Sequence, residues 1–159
     1  MSKTIIPAPV KRSIEVKSAR AKAFDVFANK TSSWWPKSHH IGKSPMAKSV
    51  IEPKAGGRWY EVGEDGTECQ WGYVVAWNPP EGLTLAWQLN SQWQFDPKIV
   101  TEVEVKFTAL GPSLTRVELE HRHLERFGDA TTVETVRKSI DSDGGWPAIL
   151  RAFASVADV

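Results

Sequence analysis

The chain has 159 residues, with Lys plus Arg 20 against Asp plus Glu 19, a formal net charge of +1 and one cysteine, Cys69. Such a length makes one domain with its own core, balanced and scattered charge excludes a polyanion-binding face, and a lone cysteine excludes an intramolecular disulfide and suits a reducing compartment. Eight tryptophans remain to be placed, at positions 34, 35, 59, 71, 77, 87, 93 and 146. An indole is a large apolar body with one N–H that needs a partner, so a set of eight points to a cavity or partner surface as well as to a core.

Residues 1–9 read as a tail. Only Ile5 and Ile6 precede Pro7, so there is no apolar signal core, and no stretch approaches a membrane span. A cytoplasmic protein with no membrane contact is expected. Val10, Ile14 and Val16 then alternate with polar residues as in a half-buried strand, Arg12 being the one charge on that face. Ser18 stands where an N-cap belongs, ahead of Ala23, Phe24, Phe27 and Ala28 at helical spacing, and a helix ends near Asn29. A second short helix or turn over residues 31–36 carries Trp34 and Trp35, and residues 37–47 read as loop.

Strands follow at 49–52, 58–62, 68–77, 83–89, 102–107 and 116–120, with turns at Asp65-Gly66, Pro79-Pro80-Glu81-Gly82 and Gly111-Pro112. Trp93 and Phe95 fall on a loop over 90–98. The strand over 68–77 reads with Cys69, Trp71, Tyr73, Val75 and Trp77 inward, unless a bulge at Gly72 reverses part of it. A short helix is expected over 131–140. A long amphipathic helix follows from Pro147 to Ala157, with Trp146, Ile149, Leu150, Phe153 and Ala157 in one stripe.

The stretch Trp34-Trp35-Pro36, then Gly56-Gly57-Arg58-Trp59-Tyr60-Glu61, Asp65-Gly66, Trp71-Gly72, Asn78-Pro79-Pro80 and Gly145-Trp146 resembles a known family. It is the bacterial stand-alone branch of the family named for the activator of the 90-kilodalton heat-shock chaperone ATPase, in the START-like (SRPBCC) superfamily with birch-pollen allergens and polyketide cyclases. The resemblance runs over roughly residues 10 to 157. It implies an α+β helix-grip fold over residues 10–159, in which a curved antiparallel sheet wraps a long C-terminal helix and two short helices follow the first strand. It also implies an apolar cavity between the sheet and the last helix.

Parity along the last strand continues from Val117 and Leu119 to His121 and His123, turning both imidazoles inward. His121 is a candidate proton donor or ligand hydrogen-bonder, against the plainer reading of a histidine satisfied by backbone or water. The pair at i and i+2, with His39 and His40, has metal-like spacing, but no third ligand converges and no metal is expected. Arg12 is expected near His121 if the first and last strands pair, with solvent access as its simplest account. Glu61 shares parity with Trp59 and is the best acidic candidate for the cavity. Gly42-Lys43-Ser44 mimics a phosphate loop without the required first glycine or preceding strand, and no Gly-x-Ser-x-Gly element exists.

The first expectation is therefore binding of a small apolar or aromatic molecule, with no cofactor and no nucleic acid. Trp35, Trp59, Trp71, Trp87, Phe107, Trp146, Leu150 and Phe153 would form the walls, and Glu61, His121 and His39 the polar contacts. A second is a cyclase- or hydrolase-type enzyme using His121 and Glu61 as acid and base. A third, from the family name, is a co-chaperone with a heat-shock ATPase as partner, weakened by the nine residues that precede the first strand where the eukaryotic activator carries a separate domain.

Overall fold

The computed structural model describes residues 7–159; Ile5 and Ile6 lie outside the described residues. The elements run β1 (Val10–Val16), α1 (Arg20–Asn29), a 3-10 turn (Thr31–Ser33), β2 (Met46–Ile51), β3 (Arg58–Gly63), β4 (Glu68–Asn78), β5 (Gly82–Trp87), β6 (Thr101–Gly111) and β7 (Leu114–Arg122). A second 3-10 turn (Leu124–Phe127), α2 (Ala130–Ile140) and α3 (Trp146–Ala157) complete it. All seven strands form one antiparallel sheet in the order β1-β7-β6-β5-β4-β3-β2. This is the helix-grip arrangement, a curled half-barrel closed around α1 and α3.

The α3 stripe explains the closure. Trp146, Ile149, Leu150, Phe153, Ala154 and Ala157 are all buried, at the 3.6-residue period of a helix with one apolar face. Phe153 meets Phe27 of α1 edge-on at 5.2 Å, and Phe27 meets Phe107 of β6 at 5.8 Å, so helix and sheet share one aromatic core. Pro147 in the first turn needs no N–H partner there. Gly145 is obligatory because a Cβ would stand 2.3 Å from the Ile140 carbonyl oxygen.

Several local expectations are corrected. Ser18 is not the cap of α1: the helix starts one residue later behind Ala19, with no side-chain cap. Ser18 instead accepts the Thr115 hydroxyl on its carbonyl at 2.8 Å, tying the helix entry to β7. The cap of α2 is Asp129, whose carboxylate accepts the Thr132 N–H at 2.8 Å, so that helix begins at Ala130. β2 begins at Met46, inside the expected loop, and the turn over 124–127 was not anticipated.

β4 departs most from simple alternation. Trp59 pairs with Gly72 but Tyr60 with Gln70, leaving Trp71 as an extra residue; Val74 pairs with Leu85 but Ala76 with Thr84, leaving Val75 as another. Each bulge resets the parity. Trp71 and Val74 point in and Trp77 packs on Phe24 at 5.1 Å, while Tyr73 and Val75 face solvent, against the inward reading of those two. At Gly72 the strands approach so closely that a Cβ would lie 1.7 Å from the Ala86 carbonyl oxygen.

Candidate functional site

Within the aromatic core the concave face is filled by side chains, and the free space is concentrated at one end of the grip. A cavity of about 470 Å³ opens there between residues 38–41, the end of β5 and the following loop, and the connection from α2 to α3. Its apolar walls are Trp35, Trp71, Trp87, Leu89, Trp93, Trp146, Ile140, Ile149 and Ile41; its polar groups are Ser38, His39, His40, Ser139 and Ser142. No Lys, Arg, Asp or Glu is among these lining residues, so the two histidines are its only titratable groups.

The indoles are held in a continuous set, edge-to-face except for the tilted pair Trp35 and Trp71. Trp35 lies 5.1 Å from Trp71 and 6.3 Å from Trp146, Trp87 lies 5.6 Å from Trp146 and 6.2 Å from Trp93, and Trp59 closes the set behind them against Trp71 and Trp87. Mostly perpendicular packing is the arrangement that aromatic pairs prefer over a face-to-face sandwich. Trp93 is 43% exposed at the mouth, with φ at 59° in the left-handed region. That turn is held by Asn90, whose side-chain oxygen accepts the N–H groups of Gln92 and Gln94 at 2.9 and 3.0 Å.

Five of the expected site residues, Trp35, His39, Trp71, Trp87 and Trp146, meet on this cavity. Trp59, Phe107, Leu150 and Phe153 do not line it; they are buried in the packed core next to it. His39 is engaged at both ring nitrogens, by Ser38 Oγ at 3.0 Å and the Gly144 carbonyl oxygen at 2.6 Å, which fastens residues 38–40 to the start of α3.

His121 is also one layer behind the wall and fully buried. Trp146 Nε1 donates to its Nδ1 at 3.1 Å, so the ring proton sits on Nε2, which donates to Thr101 Oγ1 at 2.8 Å; the Thr101 hydroxyl in turn donates to the Trp87 carbonyl at 3.4 Å. Burial pushes its pKa down to about 3. A neutral imidazole with both nitrogens committed is a strut between two cavity tryptophans, and it borders no free space. His123 does not follow the inward parity: the strand ends at Arg122, and His123 takes a left-handed backbone that turns its ring toward Glu102 and Glu125 at 3.6 and 3.9 Å. The two imidazoles therefore do not form a pair. Arg12 faces Leu119 in the β1–β7 register and pairs at 2.8 Å with Asp141 beyond α2, half exposed and not among the residues that line the cavity.

Glu61 is fully buried. Its carboxylate accepts the N–H groups of Ile41 at 2.5 Å and Gly42 at 3.2 Å and the Trp71 indole at 2.9 Å, so it binds the 38–45 loop to the sheet rather than lining the cavity. Glu61 and His121 serve separate networks and no acid–base couple joins them.

With this geometry in place, the sequence matches the family described as Activator of Hsp90 ATPase homolog 1-like protein over residues 18–158. The chain belongs to that family. Among solved structures, the chain is similar to an anthrahydroquino-γ-pyrone synthase at 36% identity, covering 95% of this chain and 97% of that one with a TM-score of 0.66. It is similar to CalC, a self-sacrificing resistance protein from Micromonospora echinospora, at 35% identity, 95% and 94% coverage and a TM-score of 0.71. The Aha1 dimer from Colwellia psychrerythraea shares the fold at 11% identity, 96% and 98% coverage and a TM-score of 0.60. No curated protein matches the sequence.

Two features of this family member were not singled out from its sequence. Trp93 read as a loop residue outside the walls, yet the Asn90-centred turn brings it over the mouth. His40, considered only as a metal ligand, lies between the cavity and a second cleft lined by Lys37, Lys43 and Glu64. Its only sequence signal is its place beside His39. No helix among the described residues is long and apolar enough to cross a membrane.

Proposed function

We propose that the protein binds a planar aromatic small molecule in the cavity at the open end of the grip. The observation that carries this reading is the lining itself: five indoles from five separate segments converge on about 470 Å³ with no charged side chain among them. A flat ring system gains dispersion and burial against such walls, and the serines and histidines at one side suit hydroxyl or carbonyl groups on its edge. The volume lies within the usual range for small-molecule sites, about 300 to 1,000 Å³. The likeness to a protein described as an anthrahydroquino-γ-pyrone synthase, at 36% identity over nearly the whole chain, supports the same ligand class.

That description also supports a second reading, in which the bound aromatic undergoes chemistry; the residues for it would be those that border the cavity, not His121 with Glu61. The likeness to the Aha1 dimer is one of fold, and the site offers nothing that favours a chaperone partner.

Titration with 1,2-dihydroxyanthraquinone, followed by quenching of tryptophan emission, tests the proposal. Saturable 1:1 quenching is expected, weakened about tenfold or more by Trp87→Ala, since truncating a buried aromatic anchor costs about 2 kcal/mol or more. Linear, unsaturable quenching of the wild type would overturn it.

A further inference from the structure

Glu61 carries a buried charge whose partners are unusual. Its three hydrogen-bond donors are two backbone amides and an indole, all neutral, and among the described residues no Lys or Arg pairs with it. A carboxylate taken wholly out of water ordinarily has a cation or a metal beside it. Among the described residues the one basic group within reach is His40, whose Nδ1 stands 3.7 Å from Glu61 Oε2. That nitrogen is itself buried and, among the described residues, has no hydrogen-bond partner at this distance. An unpartnered buried nitrogen therefore faces a carboxylate that lacks a cation, across a gap that a shift of about 0.8 to 1 Å would turn into a charge-assisted hydrogen bond, and such bonds are commonly long before a ligand arrives.

His40 is also the residue shared by two spaces. One side belongs to the aromatic cavity and the other to the outer cleft with Lys37, Lys43 and Glu64. With Nδ1 committed to Glu61, Nε2 is the ring nitrogen available to a ligand. The neighbouring groups leave this role to His40. On the cavity side His39 is occupied at both nitrogens, and behind the carboxylate Cys69 has a thiol whose pKa is pushed up by burial and by Glu61, so it holds its proton. In the outer cleft Lys37 donates to the Ala47 carbonyl at 3.2 Å.

We propose that His40, oriented by Glu61, takes the proton from an acidic hydroxyl of the aromatic ligand, so that the cavity holds its ligand as the oxyanion. The O–H bond of the ligand breaks, its electron pair stays on the oxygen as a phenolate or enolate, and the proton forms the Nε2–H bond of His40. The resulting imidazolium keeps its Nδ1–H toward Glu61, and its single positive charge lies between the carboxylate and the new oxyanion, the net charge of the three groups staying at −1. No oxidant or further reactant is needed. The proposal rests on the reading of the cavity as an aromatic-ligand site, and adds the acidic hydroxyl as the feature the site selects.

The test uses the same dye, 1,2-dihydroxyanthraquinone, whose visible absorption moves to longer wavelength when a hydroxyl ionises. The dye is titrated with acid and base free in buffer and again in the presence of saturating protein. The expected result is that binding to the wild type lowers the dye's ionisation midpoint by at least one pH unit, that His40→Gln still quenches and saturates but loses this shift, and that His123→Gln, altered at a half-buried histidine beyond the end of β7 and outside the cavity lining, keeps it. A wild-type midpoint equal to or above that of the free dye overturns the proposal, whatever the variant does. So does an undiminished shift in a folded His40→Gln protein. If the wild type shows no saturable binding at all, the aromatic-ligand reading itself fails.

Discussion

Replacing His121 by glutamine should change how stability depends on pH more than it changes the fold. His121 is neutral in the folded chain because burial lowers its pKa from 6.5 to about 3. Since the folded value lies below the unfolded one, protons bind preferentially to the unfolded chain. The contribution is intact above about pH 6.5 and is lost as the pH falls toward 3. At 1.36 kcal/mol per pKa unit the whole window is worth about 5 kcal/mol, of which about 2 kcal/mol is gone by pH 5. Protonation would also set a new N–H at Nδ1 against the Trp146 N–H that now donates there. Glutamine can still accept from Trp146 and donate to Thr101, at a cost of about 1 to 3 kcal/mol for imperfect geometry. Urea denaturation of wild type and His121→Gln at pH 7.5 and pH 5 measures the difference. The variant should be the less stable at pH 7.5, and the gap should narrow by about 2 kcal/mol at pH 5 with unchanged m-values. A gap independent of pH would refute the assignment of His121 as a buried neutral strut.

Gly72→Ala should cost about 4 kcal/mol or more, since its Cβ cannot coexist with the Ala86 carbonyl oxygen at 1.7 Å; a thermal melt within a few degrees of wild type would contradict the strand geometry. Glu61→Gln should destabilise by about 3 kcal/mol and speed amide hydrogen exchange at Ile41 and Gly42 while leaving β6 protected, because only the loop loses its anchor. Trp93→Ala should leave the urea midpoint nearly unchanged, its ring being 43% exposed, yet raise the dissociation rate of a bound dye in stopped-flow displacement.

How far the sequence discloses this molecule depends on what kind of information a feature needs. Inward and outward facing follows from local period, so Val117, Leu119 and His121 on β7, and the Trp146 to Ala157 stripe, were legible residue by residue. Parity failed where the backbone leaves the regular strand: at the two bulges in β4, which turn Tyr73 and Val75 outward, and at His123, where a left-handed residue ends the strand. Inward facing also does not distinguish a packed core from a cavity wall. Trp59, Phe107, Leu150 and Phe153 share the facing of Trp87 and Trp146, but other side chains cover them, and which inward side chain is covered is something no periodicity encodes. Glu61 was picked out by its parity with Trp59, whereas its partners Ile41 and Gly42 lie about 20 residues earlier in a segment that reads only as loop. His40 acquires its meaning from that same long-range contact.

The eight tryptophans supply eight separate reporters of where a ligand sits. Titrating ¹⁵N-labelled protein with 1,2-dihydroxyanthraquinone and following the indole N–H signals tests the central claim directly. The signals of Trp35, Trp71, Trp87, Trp93 and Trp146, which line the cavity, should shift together and saturate at one equivalent, while those of Trp34, which donates to the Val26 carbonyl, and Trp77, which packs on Phe24, stay in place. Saturable shifts confined to Trp34 and Trp77, or no saturable shift of any indole, would contradict the account.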